Sequence, residues 1–372
     1  MELMIVAGEA SGDAHAAELI TELRTRYPRL HFFGCGGERM AAAGCELLVH
    51  DRQLAVMGLI EVVRHLPRLR RLLSALKAAL CARRPQGLIL VDFPDFNLRL
   101  AAVAHGVGIP VIYFISPQLW AWRSGRVEQI RHHVQRMICI FPFEEEFYRR
   151  HGVEVASVGH PLVERVARAQ AMLTASSRPN LIAVLPGSRQ RELEFHLPVL
   201  IPALRLLQAA HGSQFMLPVA PHLSVEAVRT RLPEDLRAAV RLLPPGEMYT
   251  ALSQARLALV ASGTATVETA LFEVPMVVFY RLSSLSYWIG RRLVHAPHVA
   301  MVNLVAGRAV VPELIQGDFT PAAIAAEADR LLPDGPDRTA MLTGLAEVRT
   351  KLGLPGAIAR TAQAVAETLA LH

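Results

Sequence analysis

Two turns of small residues, one forked cation and one strand-end carboxylate have the types and spacing in this chain that suit chemistry. The stretch 257–278, LALVASGTATVETALFEVPMVV, passes from an apolar run through the turn Ser262, Gly263, Thr264, Ala265 and Thr266 into a compact helical pattern. A second apolar run follows Pro275. A Val/Leu run without polar alternation suits a parallel strand buried on both faces. Where such a strand feeds a helix, unpaired N–H groups and the positive end of the helix dipole gather, and they attract anions, phosphate above all. Glu268 lies beyond the third helical position, too far in to complete a capping box. It suits either an acceptor for a sugar diol or an ordinary solvated helix carboxylate.

A second turn of this kind, Pro186, Gly187, Ser188 and Arg189, follows the apolar run 181–185. A guanidinium at such a helix start can fork onto phosphate oxygens; the plainer alternative is an i,i+3 ion pair with Glu192. Asp92 ends the apolar run 87–91, and functional groups of open α/β sheets gather at the carboxyl ends of strands. It is the best general-base candidate, while Asp95 reads as a helix cap. The turn 8–13, GEASGD, is as much a plain tight turn as a ligand loop, since it lacks the G-x-G-x-x-G spacing. Trp120 and Trp122 in the loop 116–123 read as packing, with a lipid or sugar platform as the alternative. There is no D-x-D pair to carry magnesium, so a leaving diphosphate would rely on Arg189 and helix N-termini, without metal or other cofactor.

These groups need strands to hold them. Further apolar runs stand at 2–7, 30–34, 109–115, 137–141, 154–158, 214–219, 240–243 and 276–280, with helical patterns between them. Recurring βα units in both halves predict an α/β protein of two Rossmann-like domains, each an open parallel sheet, facing a cleft. The polar, Ser-rich stretch 167–180 reads as the linker. The expected division is 1–166, 167–340 and a pair of closing helices in 341–372. The stretch 298–307, HVAMVNLVAG, reads as an apolar loop carrying Asn303.

Composition narrows the class. At 372 residues the chain is too long for one comfortable core. Hydrophobic residues make up 52% and charged residues 19%, yet no run reaches the ~18 apolar residues of a membrane span. The chain enters a strand pattern at once, so no signal peptide is expected. Cys35, Cys45, Cys81 and Cys139 have no zinc or C-x-x-C spacing, so reduced thiols in a cytoplasmic protein are expected. A net charge of +6 suits nucleic acid, anionic lipid or phosphorylated substrates alike. The stretch 54–80 interleaves Ile60, Val62, Val63, Leu66, Leu69, Leu72 and Leu73 with Arg64, Arg68, Arg70, Arg71 and Lys77. Pro67 predicts two short helices there. The pattern fits a helix covering the sheet with Arg stems along its edge, or an interfacial helix at an anionic membrane.

Several long motifs in fixed order carry a resemblance along nearly the whole chain. They are GEASGD (8–13), LAVMGLIEV (54–62), DFPDFN (92–97), SPQLWAWR (116–123), PFE (142–144), GHPL (159–162), LPGSRQRE (185–192), SGTATVE (262–268), YR (280–281) and NLVAGR (303–308). In these the chain resembles the lipid-A-disaccharide synthase family, inverting glycosyltransferases of the B-type fold. The resemblance implies transfer of 2,3-diacylglucosamine from UDP to the 6-hydroxyl of 2,3-diacylglucosamine 1-phosphate. The product is a β-1,6 disaccharide in lipid A biosynthesis of Gram-negative bacteria. By motif, it implies Asp92 as base with Arg189 also catalytic. The UDP side would take Gly187, Ser188, Arg189, Ser262, Gly263, Thr264, Ala265, Thr266, Glu268, Tyr280, Arg281 and Asn303. The acceptor side would take Ser11, Gly12, Asp13 and Asn97. Val302 departs from the proline expected before Asn303. Acylated substrates favour the interfacial reading, with Ile60, Val62, Val63, Leu66 and Leu69 as a membrane patch on a protein peripheral to the inner membrane. No nucleic-acid partner is expected; a homodimer is compatible, and the last helix, 357–369, is expected either to cross back to the first domain or to swap to a partner. The alternatives are another UDP-sugar enzyme of this fold, such as a UDP-N-acetylglucosamine 2-epimerase, or a non-enzymatic UDP- or phospholipid-binding protein.

Overall fold

The computed structural model describes residues 1–54, 59–117, 119, 124–173, 180–221, 223–283, 287–288 and 297–372, without the side chains of 10, 59–66 and 124. The described chain divides into two compact units, Met1–Pro161 with Leu354–His372, and Leu162–Gly353. The expected boundary at 166/167 falls inside the helix Leu162–Met172, which belongs to the second unit. Of the expected linker, 174–179 lie outside the described residues.

In the first unit seven parallel strands form one sheet: β1 (Glu2–Ala7), β2 (His31–Gly36), β3 (Cys45–His50), β4 (Gly87–Val91), β5 (Val111–Phe114), β6 (Arg136–Cys139) and β7 (Val155–Ser157). Their order is β3-β2-β1-β4-β5-β6-β7. The two central strands β1 and β4 are apolar runs buried from Leu3 and from Gly87 onward, as a sheet covered on both faces requires. β3 is missing from the sequence reading because it is an edge strand: CELLVH is only partly buried and has no continuous apolar signature. The order reverses between β1 and β4, where Ala7 pairs with Val91.

Helix Leu59–Arg83 is continuous, although Pro67 predicted a break. Pro67 is exposed, and water can replace the backbone bond it removes. Beyond it, Leu73, Leu76 and Leu80 recur at helical spacing and are buried in the same cluster as Leu88, Leu90 and Tyr113. Leu69, expected in the membrane patch, packs half-buried against that cluster. Ile60, Val62, Val63 and Leu66 lie outside the described side chains, and Trp120 and Trp122 outside the described residues.

The second unit repeats the plan with β8 (Leu181–Leu185), β9 (Gln214–Pro218), β10 (Val240–Leu243), β11 (Leu257–Ala261), β12 (Met276–Tyr280) and β13 (Glu313–Ile315). They are parallel, in the order β10-β9-β8-β11-β12-β13. Here the reversal falls between β8 and β11, with Leu185 opposite Val260. Helix Gln190–His211 is long and apolar enough to cross a membrane by length and composition. It instead buries Leu193, Leu197, Leu200, Leu204 and Leu207 along one face, at the spacing of a helix laid on a core.

The two closing helices part company. Pro336–Lys351 stays with the second unit, and Ala357–Leu369 joins the first. Arg360 Nε donates to the Val158 carbonyl at 2.9 Å. Leu369 fills the space over Gly87, where an added Cβ would stand 2.6 Å from its side chain.

Candidate active site

Both candidate turns of the first unit flank its strand-order reversal, the place where open parallel sheets bind ligands. Asp92 and Phe93 follow β4 with φ of +48° and +51°. Two successive non-glycine residues in the left-handed region cost roughly 1–2 kcal/mol each, so the surroundings must hold them there. They do so through the Asp92 carbonyl, which accepts from Tyr113 Oη at 2.5 Å and from Asn97 Nδ2 at 2.7 Å. The Phe93 ring packs over Gly8 at the end of β1, where a Cβ would meet it at 2.5 Å. The Asp92 carboxylate is half-buried at this edge. Burial, reinforced by the charge of Glu9, pushes it up to about 6 against the opposing effect of the Phe93 N–H. That is a carboxylate poised for proton transfer near neutral pH.

Three residues expected on the acceptor side have other work. The helix after β1 begins at Ala10, inside the stretch read as a turn, so Ser11, Gly12 and Asp13 form its first turn. Ser11 is exposed, and Gly12 packs against Ala7 and Val91. Asp13 is buried; its carboxylate accepts from the N–H groups of Gly37 at 2.7 Å, Met40 at 3.1 Å and Arg39 at 3.2 Å. It caps the short helix after β2 and clips that turn to the first helix. Asp13→Ala should therefore lower stability by about 1–3 kcal/mol, by stranding buried donors. Urea unfolding followed by circular dichroism checks this, and an unchanged midpoint would refute it. Asn97 is fully buried, and its Nδ2 is engaged by the Asp92 carbonyl, so it positions that turn. Asp95 is no cap: Phe93 holds that position, and Asp95 pairs with Arg126 at 2.5 Å.

In the second unit the turns after β8 and β11 lie on neighbouring strands at one sheet edge. Helix Thr264–Leu271 starts after Gly263 with no side chain capping it. Ser262 Oγ donates to the Val299 carbonyl at 3.1 Å, and Thr266 Oγ1 folds back on the Gly263 carbonyl at 2.7 Å. Gly263 and Thr264 are exposed and Ala265 is half-buried, leaving an uncapped helix N-terminus at the surface. One turn further in, Glu268 is half-buried and accepts from Tyr249 Oη at 2.8 Å. Burial raises its carboxyl, opposed by Tyr249 and by the charge of Arg165.

The turn after β8 differs from expectation. Glu192 Oε2 already accepts from the N–H groups of Ser188 at 2.7 Å and Arg189 at 3.2 Å. A carboxylate of the same helix thus occupies the amides that a phosphate was expected to use. Gly187, at φ +120°, is required here, since a Cβ would stand 2.4 Å from Glu192 Oε2. Among the described residues, the Arg189 side chain has one charged contact, a long 3.5 Å one to Glu192 Oε1, and it is 57% exposed, so a phosphate can outcompete that partner. Tyr280 Oη donates to the same Oε1 at 3.3 Å. The Arg281 guanidinium donates to the carbonyls of Gln316 at 2.9 Å and Phe319 at 2.7 Å. Its engagement is structural.

Asn303, expected in a loop at the UDP side, lies in the helix Met301–Ala306 and is 1% exposed. Its Nδ2 donates to the Val311 carbonyl and to Glu313, and its Oδ1 accepts from the N–H groups of Val310 and Val311. Both ends of the amide are engaged, so it shapes this segment from behind. Val302, in place of proline, is a buried helical residue.

Several residues of this framework were not legible in the sequence. His196 ties the two strand ends together: Nδ1 donates to the Pro186 carbonyl at 2.7 Å, and Nε2 accepts from the Arg281 N–H at 3.1 Å. Burial lowers its basicity, which suits that neutral tautomer. Tyr113, Tyr249 and Glu313 act in the same way through partners well separated in sequence, whereas Glu192 acts within its own turn. For Glu192 alone a local signal existed, its position three residues after Arg189.

Comparison with known proteins gives the family and the fold. Residues 3–362 match the family model described as lipid-A-disaccharide synthetase. A lipid-A-disaccharide synthase of Myxococcus xanthus is 45% identical over 374 residues, covering 99% of this chain and 97% of that one. One of Anaeromyxobacter dehalogenans is 47% identical over 370 residues, covering 98% and 96%. Among solved structures, a UDP-GlcNAc 2-epimerase from Neisseria meningitidis has a TM-score of 0.68 at 13% identity, covering 99% of this chain and 100% of that one. MurG of Acinetobacter baumannii has a TM-score of 0.62 at 14% identity, covering 98% and 99%. At such identities the structural likenesses establish the α/β fold of two parallel sheets and nothing about the reaction. The full-length sequence matches decide against the epimerase and the non-enzymatic readings: this chain belongs to the lipid-A-disaccharide synthase family of glycosyltransferases.

Proposed function

We propose that the chain transfers 2,3-diacylglucosamine from UDP-2,3-diacylglucosamine to the 6-hydroxyl of 2,3-diacylglucosamine 1-phosphate, releasing UDP and inverting the anomeric carbon. The observation that carries the mechanism is the Asp92 carboxylate, raised to about 6 on a turn held by Tyr113 and Asn97. Its role is to take the proton of the attacking hydroxyl as the new C–O bond forms and the bond to the diphosphate breaks. The charge left on the diphosphate is met by the uncapped amides of Thr264–Leu271 and by the Arg189 guanidinium. Glu268, one oxygen held by Tyr249, accepts from the ribose hydroxyls. Ser11 remains the acceptor-side candidate with an exposed side chain. Radiolabelled UDP-diacylglucosamine, incubated with the monosaccharide phosphate and resolved by thin-layer chromatography, tests this reading. A labelled disaccharide phosphate and free UDP are expected; UDP release without acceptor, or an epimerised nucleotide sugar, would overturn it.

Acylated substrates require contact with a membrane surface, and the support for a peripheral mode is the helix Leu59–Arg83. Arg68, Arg70 and Arg71 are exposed on it, while Leu69 and Leu73 face the core. Each exposed cation near an anionic surface contributes about 1 kcal/mol. Replacing all three by Ser should therefore cut partition onto phosphatidylglycerol vesicles by roughly tenfold or more, and salt should mimic the loss. UDP binding should not change. Equal sedimentation of variant and parent with vesicles would remove this helix from the membrane contact.

A further inference from the structure

The first unit carries a cluster with no place in the reaction described above. His105, in the last turn of helix Pro94–Gly106, meets His132 and His133, the last two residues of helix Val127–His133. The ring centroids are 5.3 Å apart for His105 and His132, 5.4 Å for His105 and His133, and 5.1 Å for His132 and His133. One ligating nitrogen from each lies within 4.8 Å of those of the other two. Among the described residues, this is the one group of three or more His, Cys, Asp or Glu side chains with such an arrangement. A second observation is independent of that proximity: His133 Nδ1 is buried and has no hydrogen-bond partner. A buried polar atom left unpaired costs about 1–3 kcal/mol, so a fold that keeps one calls for an explanation.

We propose that His105, His132 and His133 form a binding site for one divalent transition-metal ion of the zinc class. Three imidazoles are borderline-soft nitrogen donors; they suit zinc, nickel, cobalt or copper and not magnesium or calcium, which take oxygen. Zinc bonds imidazole nitrogen at about 2.0–2.1 Å, which places ligand atoms roughly 3.3 Å apart. Small rotations of exposed side chains close the present separation to that value, for His105 and His132 are both exposed. Water would complete the coordination at a fourth position. The ion would tie together the carboxyl-terminal ends of two helices. Asp92 stands before the opposite end of helix Pro94–Gly106, whose 13 residues span about 20 Å, so the site is separate from proton transfer. Adjacent His132 and His133, with His105 a helix away, match no usual metal-ligand spacing.

The test uses the untagged full chain, stripped with chelator and titrated with zinc in a non-coordinating buffer at pH 7.5 by calorimetry. One equivalent should bind with a Kd of 10 μM or tighter, on the order of −7 kcal/mol. His105→Asn and His132→Asn, both at exposed positions, should each weaken it tenfold or more. The double variant should lose that equivalent, and its Tm should not rise with zinc as the parent's does. UDP affinity should match the parent in both variants, which certifies their folding. Cobalt(II) should give the visible bands of a four-coordinate nitrogen site in the parent alone. Absence of saturable binding, or equal binding by the double variant, would overturn the proposal by placing the ligands elsewhere or nowhere.

Discussion

Asp92→Asn should lower kcat by roughly a hundredfold to ten-thousandfold while the KM for the UDP donor stays near its parent value. The amide keeps the shape of the side chain and the strained turn beneath it, so the loss reports the missing base and not a misplaced loop. A fall of less than about tenfold, or ~1.4 kcal/mol of barrier, would remove Asp92 from that role. The pH profile gives an independent reading. A base must be ionised, so kcat/KM of the parent should rise through about 6 and level off above it, while the variant's residual rate stays flat. Stability should move in the opposite sense. Because burial raises this carboxyl in the folded state, the fold binds its proton more tightly than the unfolded chain does. Stability from this group therefore declines as pH rises from about 4 to about 6, and the full cost persists above. The Asn variant should accordingly unfold several degrees higher than the parent at pH 7.5, with a smaller gain at pH 5. Thermal scans at the two pH values check this; an equal or lower Tm at pH 7.5 would contradict the buried-carboxylate account.

For Arg189→Ala, the Kd for UDP measured by calorimetry should rise roughly tenfold to a hundredfold, the value of one charged hydrogen bond to phosphate, about 1.5–3 kcal/mol. Removing this guanidinium disturbs little else, since among the described residues its one charged contact is long and its own side chain is 57% exposed. Glu192 keeps its bonds to the Ser188 and Arg189 amides, so the turn should hold its shape. Arg189→Lys should recover only part of the affinity, because an ammonium cannot fork onto two oxygens. An unchanged Kd in the Ala variant would move the diphosphate away from this turn. Affinity lost together with thermal stability would mean that Arg189 holds the turn and not the ligand.

The buried strands were legible in the sequence because parallel strands covered on both faces are continuous apolar runs. The first and fourth strands of each unit, which flank the candidate turns, carry that signature most cleanly. The edge strands Cys45–His50 and Glu313–Ile315 were not legible: one is broken by Glu46 and the other is three residues opened by Glu313, so neither shows a continuous apolar run. Asp92, Arg189 and the turn 262–266 stood out because small residues and charges at strand ends are rare and local. What local pattern could not tell was which polar residues are open to a ligand. Asp13, Asn97, Arg281 and Asn303 have the types of binding residues, yet each is engaged by backbone atoms near or far along the chain. The histidine trio was invisible for the same reason, because its members converge only through packing of two helices. Strand identity and the chemistry on offer follow from side-chain type and period, which are properties of sequence. Which carboxylate is raised and which amide is consumed follow from hydrogen-bond partners and burial, and the tertiary structure alone supplies those.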